Sequence, residues 1–247
     1  MNKELPMNFL DEYNKLKSNG FPFKETIELG FALGNSEDIE AHFSIYCLNE
    51  ALPKNKRALG ISESFDKHGD AGAEYLFSQL SEHEEIAIHA AYLLSSLMIH
   101  KEHLIQPGWH NALVQRLMQL TESNRPEIRR KSLIALGWVG TDETLPVIKD
   151  HLLNDTDDLS RAWSASAFLQ MAFWGHVTRH ELEAIAKDAL TECISKETDL
   201  FVKGVAIEAV QDIWNVKLGL RQSAVENRKE RSINHAAKRA LIYLNQG

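Results

Sequence analysis

The sequence predicts an all-α fold: a right-handed α-solenoid, or α-α superhelix, of about six helical pairs. Three observations support this prediction. A stripe of small and apolar residues recurs at offsets 0, +4, +7, +8 and +11, which share one face of a helix. In its clearest copy the stripe is followed by a break and a second apolar helix. The copies lie roughly 30 to 45 residues apart, which is enough chain for one helical pair.

The clearest pair lies between residues 125 and 154. Pro126 suits a first helical turn, where its missing N–H costs nothing, and Gly140 supplies a stop. The first helix carries the stripe Ile128, Ser132, Ala135, Leu136 and Val139, and the second has apolar positions at Leu145, Val147, Ile148, Leu152 and Leu153.

The same stripe predicts five further helices that line the inside of the stack. Three copies are apolar or small throughout, and two begin with a polar residue. The apolar copies are Ile86-Ala90-Leu93-Leu94-Leu97, Val202-Ala206-Ala209-Val210-Ile213 and Ile233-Ala237-Ala240-Leu241-Leu244. The two weaker copies are Ser160-Ser164-Ala167-Phe168-Met171 and Glu40-Ser44-Cys47-Leu48-Ala51.

This spacing predicts a single domain over residues 1–247. We expect an N-terminal capping helix within residues 1–20, because terminal repeats must cover an exposed apolar face. Proline, glycine and basic residues interrupt the pattern at 53–69, which predicts an irregular connection. The first pair is expected to consist of a helix at 21–33 and the helix that carries the stripe beginning at Glu40. The others are expected at 70–80 with 83–97, 109–120 with 126–139, 141–153 with 159–174, 180–194 with 200–214, and 216–226 with 232–244.

The segment EIRRKSLIALGWVGTDETLPVIKDHL resembles the HEAT repeat, in the short variety that phycobilin lyases also contain. The features that carry the resemblance are Arg129 after the first apolar position, the Ala135-Leu136-Gly137 run, and Leu145-Pro146 in the following helix. Arg161 and Lys203 take the place of Arg129 in two other copies. The resemblance implies a scaffold, since a repeat fold alone says little about function.

Composition narrows the classes of partner. The formal net charge of −8 counts against a nucleic-acid-binding protein and favours a basic partner. Cys47 and Cys193 both lie in helical patterns, which predicts reduced, buried thiols and a cytoplasmic protein. The charged N-terminal segment predicts neither a signal peptide nor a membrane span.

No catalytic motif is found, so we expect no enzyme and no cofactor. The sequence has no GxGxxG, GxxxxGK[ST], GxSxG or CxxC motif. His176 and His180 are four residues apart and could bind a metal with Glu181 or Glu183. Gly175 would interrupt that helix, so we expect surface histidines and no metal site.

The candidate binding residues are those that lie on the stripe-bearing helices but outside the predicted core. On each helix that bears the stripe, the face opposite the stripe should line a concave groove. A solvated face would carry lysine, glutamate and glutamine, whereas this one is rich in aromatic residues at its centre and acidic at its ends, which favours a contact surface. The candidates are Tyr46, Glu50, Tyr92, Ile134, Trp138, Trp163, Leu169, Phe173, Glu208, Asp212 and Tyr243. Alternatively, Trp138 and Trp163 wedge between adjacent helices and belong to the core.

These observations favour a non-enzymatic scaffold that binds a basic protein. Acidic HEAT-like chains of this size are similar to immunity proteins that neutralise bacterial nuclease toxins, which gives the leading hypothesis. One alternative is a relative of the DNA-alkylation-repeat glycosylases, suggested by Trp138, Trp163 and Asp212. Arg130 and Arg239 are the only basic residues at the groove positions, which disfavours a DNA groove. A second alternative is a chromophore carrier that resembles phycobilin lyases.

Overall fold

The computed structural model describes residues 8–101, 103, 105–174 and 177–246, and over these residues it contains helices and no strand. The α-helices of this part are α1 Phe9–Ser18, α2 Phe23–Gly34, α3 Ile39–Glu50, α4 Gly69–Gln79, α5 Glu84–His100, α6 Trp109–Thr121, α7 Pro126–Val139, α8 Leu145–Asn154, α9 Asp158–Trp174, α10 Arg179–Lys196, α11 Leu200–Ile213, α12 Gln222–Glu226 and α13 Glu230–Gln246. Short 3-10 helices lie at Lys54–Lys56, Phe65–His68 and Asp142–Thr144. The all-α prediction is confirmed.

The helices form two compact units, Met1–Gln106 and Pro107–Gly247. We call them the first and the second unit. The expected single domain over 1–247 stays a prediction.

In the second unit, α7, α9, α11 and α13 pack side by side in chain order, and we call them the inner helices. The outer helices α6, α8 and α10 each pack on the inner helix that follows them, and α8 also packs on α10. This two-layered succession of helical pairs is the arrangement of an α-solenoid, as the sequence predicts.

The predicted stripes form the core of the second unit. Ile128, Ala135 and Leu136 of α7 are at most 2% exposed, as are the stripe residues of α9 and α11. Glycine permits the close approach of α7 to α9, because a Cβ at Gly137 would lie 3.0 Å from the Cα of Ala167. The residue spacing therefore predicts this core correctly.

Ion pairs connect successive helical pairs of the second unit. Arg129 in α7 donates to both carboxylate oxygens of Asp155 just after α8, at 2.9 and 2.7 Å. Arg161 repeats this contact one pair later, with Glu197 after α10, at 2.7 and 3.3 Å. Arg161 also donates to the Asp155 carbonyl at 2.9 Å. These largely buried arginines fix one repeat on the next.

The prediction of a helix at 216–226 is wrong over most of that range, since α12 begins only at Gln222. Asn215 and Gly219 adopt positive φ of 50° and 81°, which a helix excludes. The Gln211 side chain also bonds both backbone groups of Leu220, at 3.1 and 3.3 Å, and holds the segment as a loop.

In the first unit, α1, α2 and α3 pack together and α4 packs on α5. The predicted stripe of α3 is wrong, because Ser44 and Leu48 are exposed and Phe43 and Tyr46 are buried. The cause lies in the irregular connection at 53–69, which packs on the expected groove side of α3. The Asn49 side chain pairs with both backbone groups of Ala58, at 2.8 and 3.0 Å, and fastens this connection.

Candidate partner-binding face

The inner helices of the second unit present one continuous exposed stripe. On α7, α9 and α11 the residues at offsets −1, +3, +6 and +10 from the first core position all stay accessible. Since these helices lie side by side and share this register, their accessible residues line one surface. We call this surface the inner stripe; its members used below are Ile134 and Trp138 of α7, Trp163 and Gln170 of α9, and Val205, Glu208 and Asp212 of α11.

The inner stripe lies about 60° from the face that the sequence predicts. The residue at +9 on α7 is Gly137, which packs against Ala167 of the next inner helix and is therefore covered. The flanking positions +3 and +10 are open instead, and they carry Trp163 and Trp138. Both indoles are half-buried, so neither is a fully buried core residue.

The remaining apolar candidates on α9 lie at the margin of the stripe. Leu169 is half-buried, and Phe173 is 70% exposed near the end of the helix. Trp174, which the sequence analysis treats only as a helix end, is 38% exposed, and its indole N–H donates to Gln170 at 3.3 Å. Phe201 and Val205 on α11 are also half-buried on this face, and their offsets −1 and +3 from Val202 are the sequence signal that identifies them.

Glu208 and Asp212 give the acidic end of the inner stripe. They lie four residues apart on α11 and therefore project from the same face. Burial raises the pKa of the Glu208 carboxyl, and the nearby charges of Asp212 and Glu226 raise it further. Burial also raises the pKa of Asp212. Within the described residues, neither carboxylate has a basic side chain within ion-pair distance.

Other acids of the second unit contrast with this pair. Burial raises the pKa of Asp155, but hydrogen bonds from Arg129, the Asp157 N–H and His151 outweigh it and hold the pKa at about 2. Asp157 accepts a two-point contact from Arg130 and bonds from the N–H and hydroxyl of Ser160, at 2.7 and 2.9 Å. Arg130 is therefore a structural residue and is not available as a cation of the groove, which corrects its predicted place.

Tyr243 is not on the inner stripe, contrary to the prediction. Its exposed ring lines a pocket of about 480 Å³ together with Trp214 and with His180 and Lys187 of outer helix α10. The short α12 leaves α13 in direct contact with α10, which explains this placement.

Tyr46, Glu50 and Tyr92 lie together in the first unit, but they form no open acidic groove. Tyr46 is 1% exposed, with its ring 5.5 Å from that of His89, so its predicted role on an open face is wrong. Glu50 pairs with Arg57 at 2.8 Å. Tyr92 is half-buried; burial raises its pKa, as does the charge of Glu50.

No group of three potential metal ligands occurs within the described residues. His176, which the sequence analysis combines with His180, lies outside them. No helix of the described part is long and apolar enough to cross a membrane.

Comparison with known proteins identifies the repeat. A family model described as HEAT repeats matches residues 73–168. The chain contains HEAT repeats. The matched segment runs from α4 into α9, and α10 to α13 continue the same packing beyond it. This confirms the resemblance drawn from Arg129, the Ala135-Leu136-Gly137 run and Leu145-Pro146.

A solved structure of an engineered protein, from a structural genomics consortium, is similar to this chain at 18% identity and a TM-score of 0.46. The similarity covers 89% of this chain and 96% of the engineered protein. At that identity and score it says nothing about function. No curated protein matches the chain.

Proposed function

We propose that this HEAT-repeat chain is a non-enzymatic scaffold whose inner stripe binds a basic protein. The observation that carries the proposal is the pair Glu208 and Asp212, one half-buried and one exposed carboxylate on the same helix face, which lack an ion-pair partner among the described residues. Their raised pKa values mean that the protein itself disfavours their charged forms. A lysine or arginine from a partner would reverse this, because an opposite charge favours the ionised carboxyl.

The aromatic part of the stripe supplies the apolar contact. Trp138 and Trp163 are half-buried and already positioned by the packing of α7 on α9, so little side-chain freedom is lost when they bind. Large aromatic side chains in such positions are the usual centres of binding energy in protein interfaces. An aromatic centre with an acidic end fits a protein surface on which apolar and basic side chains alternate.

A more specific form of the proposal is that the partner is a bacterial nuclease toxin and that this chain is its immunity protein in the cytoplasm. A nuclease must carry a basic surface for its nucleic acid. The net charge of −8 and the free acids Glu208 and Asp212 complement such a surface. The proposal excludes nucleic acid as the ligand, and the use of Arg130 in a contact with Asp157 supports this exclusion.

The test compares proteins captured by the wild type with those captured by the variant Glu208→Gln/Asp212→Asn. Asp188→Asn/Glu192→Gln is a matched control, because these acids have the same four-residue spacing on outer helix α10. We expect a basic protein that the wild type and the control retain and that the inner variant loses. Equal retention by all three chains would contradict the proposal.

The nuclease form has its own test. The captured partner should degrade DNA or RNA, and the wild-type chain should inhibit that activity in equimolar amounts. Capture of a basic protein without nuclease activity would leave the scaffold proposal in place and refute the immunity function. Tight binding of a DNA duplex by the chain at physiological salt would refute both.

A further inference from the structure

The first unit contains a second surface with the opposite charge. An open pocket of about 540 Å³ lies where the end of α1 and the start of α2 meet the connection after α3. Its apolar wall includes Phe23 and Leu59, which are 71% and 57% exposed. Such exposure is unusual for large apolar side chains that lie together at one concave site, and it marks a contact surface.

The rim of this pocket is basic. It includes Lys17, Lys56 and Arg57 and no acidic residue. Arg57 is held in place by Glu50 at 2.8 Å and by the carbonyls of Glu50 and Leu52 at 2.8 and 2.9 Å. Lys17 and Lys56, in contrast, form no ion pair within the described residues, and both are exposed. In a chain with net charge −8, this is a local excess of free positive charge.

The backbone holds one wall of the pocket in an uncommon conformation. Gly20 and Phe21 both adopt positive φ, at 74° and 53°, after the end of α1. The Phe21 N–H donates to the Leu16 carbonyl at 2.8 Å, and its ring lies 5.4 Å from that of Tyr13. A non-glycine residue rarely adopts this conformation and keeps it only where the surroundings fix it. The wall of the pocket at Phe21 is therefore held in position by contacts with Leu16 and Tyr13 of α1.

We propose that this pocket binds an acidic protein segment that inserts one or two large apolar side chains between Phe23 and Leu59, with its carboxylates on Lys17 and Lys56. Charge complementarity selects the acidic character, because free ammonium groups attract carboxylates. The open walls select a protein segment, since small-molecule sites typically enclose about 70–90% of their ligand. This pocket shares no residue with the inner stripe and needs no basic partner.

The experiment measures the binding of a fluorescent peptide that carries a Leu-Phe pair between two glutamates on each side. The wild type should bind it saturably, and a peptide with glutamines in place of the glutamates should bind at least about tenfold more weakly. Lys17→Glu/Lys56→Glu and, separately, Phe23→Ser should each weaken binding about tenfold or more. Lys15→Glu is the matched control, because Lys15 lies on α1, is 68% exposed and pairs with Glu12. It should leave the affinity within about twofold of the wild type.

Four results would overturn this proposal. They are the absence of saturable binding, equal binding of the glutamine peptide, displacement of the peptide by a fatty acid that binds more tightly, and self-association of the chain that Lys17→Glu/Lys56→Glu abolishes. Circular dichroism would verify that each variant is folded. The inner variant Glu208→Gln/Asp212→Asn should bind the peptide normally, so failure of this proposal is distinguishable from failure of the proposed scaffold function.

Discussion

The contact between Arg129 and Asp155 joins one helical pair of the second unit to the next, and its removal should weaken that unit. The two side chains are 11% and 2% exposed. Arg129→Ala would leave the Asp155 carboxylate buried without its cation, which in proteins typically costs about 3 to 5 kcal/mol. The lowering of the Asp155 pKa from 3.8 to about 2 gives a similar magnitude, about 2 kcal/mol, since a pKa difference of one corresponds to about 1.4 kcal/mol. We therefore expect a loss of about 2 to 5 kcal/mol at pH 7.

The pH dependence of this loss follows from the sign of the pKa change. The pKa of Asp155 is lower in the folded chain than in the unfolded one, so its contribution is fully present above about pH 3.8. It is lost as the pH falls from there through about 2, below which both states are protonated. The stability difference between the wild type and Arg129→Ala should therefore shrink when the pH is lowered from 7 to about 3.

Urea unfolding of the wild type, Arg129→Ala, Asp155→Asn and the double variant gives the coupling energy directly. Arg125→Ala is the control, because Arg125 pairs with Glu127 at the surface, where the side chains are 42% and 58% exposed. Its loss should be at most about 1 kcal/mol. Equal losses for Arg129→Ala and Arg125→Ala, or a coupling energy near zero, would refute the argument that these pairs connect the repeats.

Three further predictions concern the core, the first unit and the inner stripe. Leu136→Ala should cost about 2 to 5 kcal/mol in urea unfolding, because Leu136 is fully buried in the best-formed repeat; a loss below about 1 kcal/mol would show that α7 is packed differently. Burial lowers the His42 pKa from 6.5 to about 4, so the unfolded chain takes up this proton first, and the first unit should lose up to about 3 kcal/mol as the pH falls through that range. Hydrogen exchange of residues 39–68 at several pH values measures this loss, and His42→Asn should reduce its pH dependence. Since burial raises the pKa values of Glu208 and Asp212, replacing both with their amides should raise the melting temperature at pH 7, with a gain that begins to shrink as the pH falls below those raised values and disappears below the ordinary pKa values of the unfolded chain. Calorimetry that shows a decrease at pH 7 would contradict the account of this pair.

The sequence predicts the second unit well, because its core residues follow one regular spacing. The stripe beginning at Ile128 and its copies at Ser160 and Val202 are buried as expected, even where serine replaces an apolar residue. The groove face is predicted less accurately, because the accessible residues lie about 60° around the helix axis from the predicted face. The spacing alone does not show which side of an inner helix its neighbouring inner helix covers, and Gly137 of α7 reveals this only through its contact with Ala167 of α9.

The first unit shows why local periodicity is insufficient. The copy beginning at Glu40 has a polar residue at two of its five positions, and the true core of α3 includes Phe43 and Tyr46. That core depends on the connection at 53–69, which packs against α3 through Asn49 and Ala58. Contacts between distant residues of this kind follow no helical period, so the sequence pattern could not predict them.

The central claim is that Glu208 and Asp212 attract a basic protein to the inner stripe. The direct measurement is the association rate of the captured partner with the wild type, with Glu208→Gln/Asp212→Asn and with the control Asp188→Asn/Glu192→Gln, over a range of ionic strength. We predict fast association of the wild type and the control at low salt that slows as salt shortens the screening length to about 8 Å, and a slower rate with a weaker salt dependence for the inner variant. Identical rates and salt dependence for the wild type and the inner variant would contradict the claim.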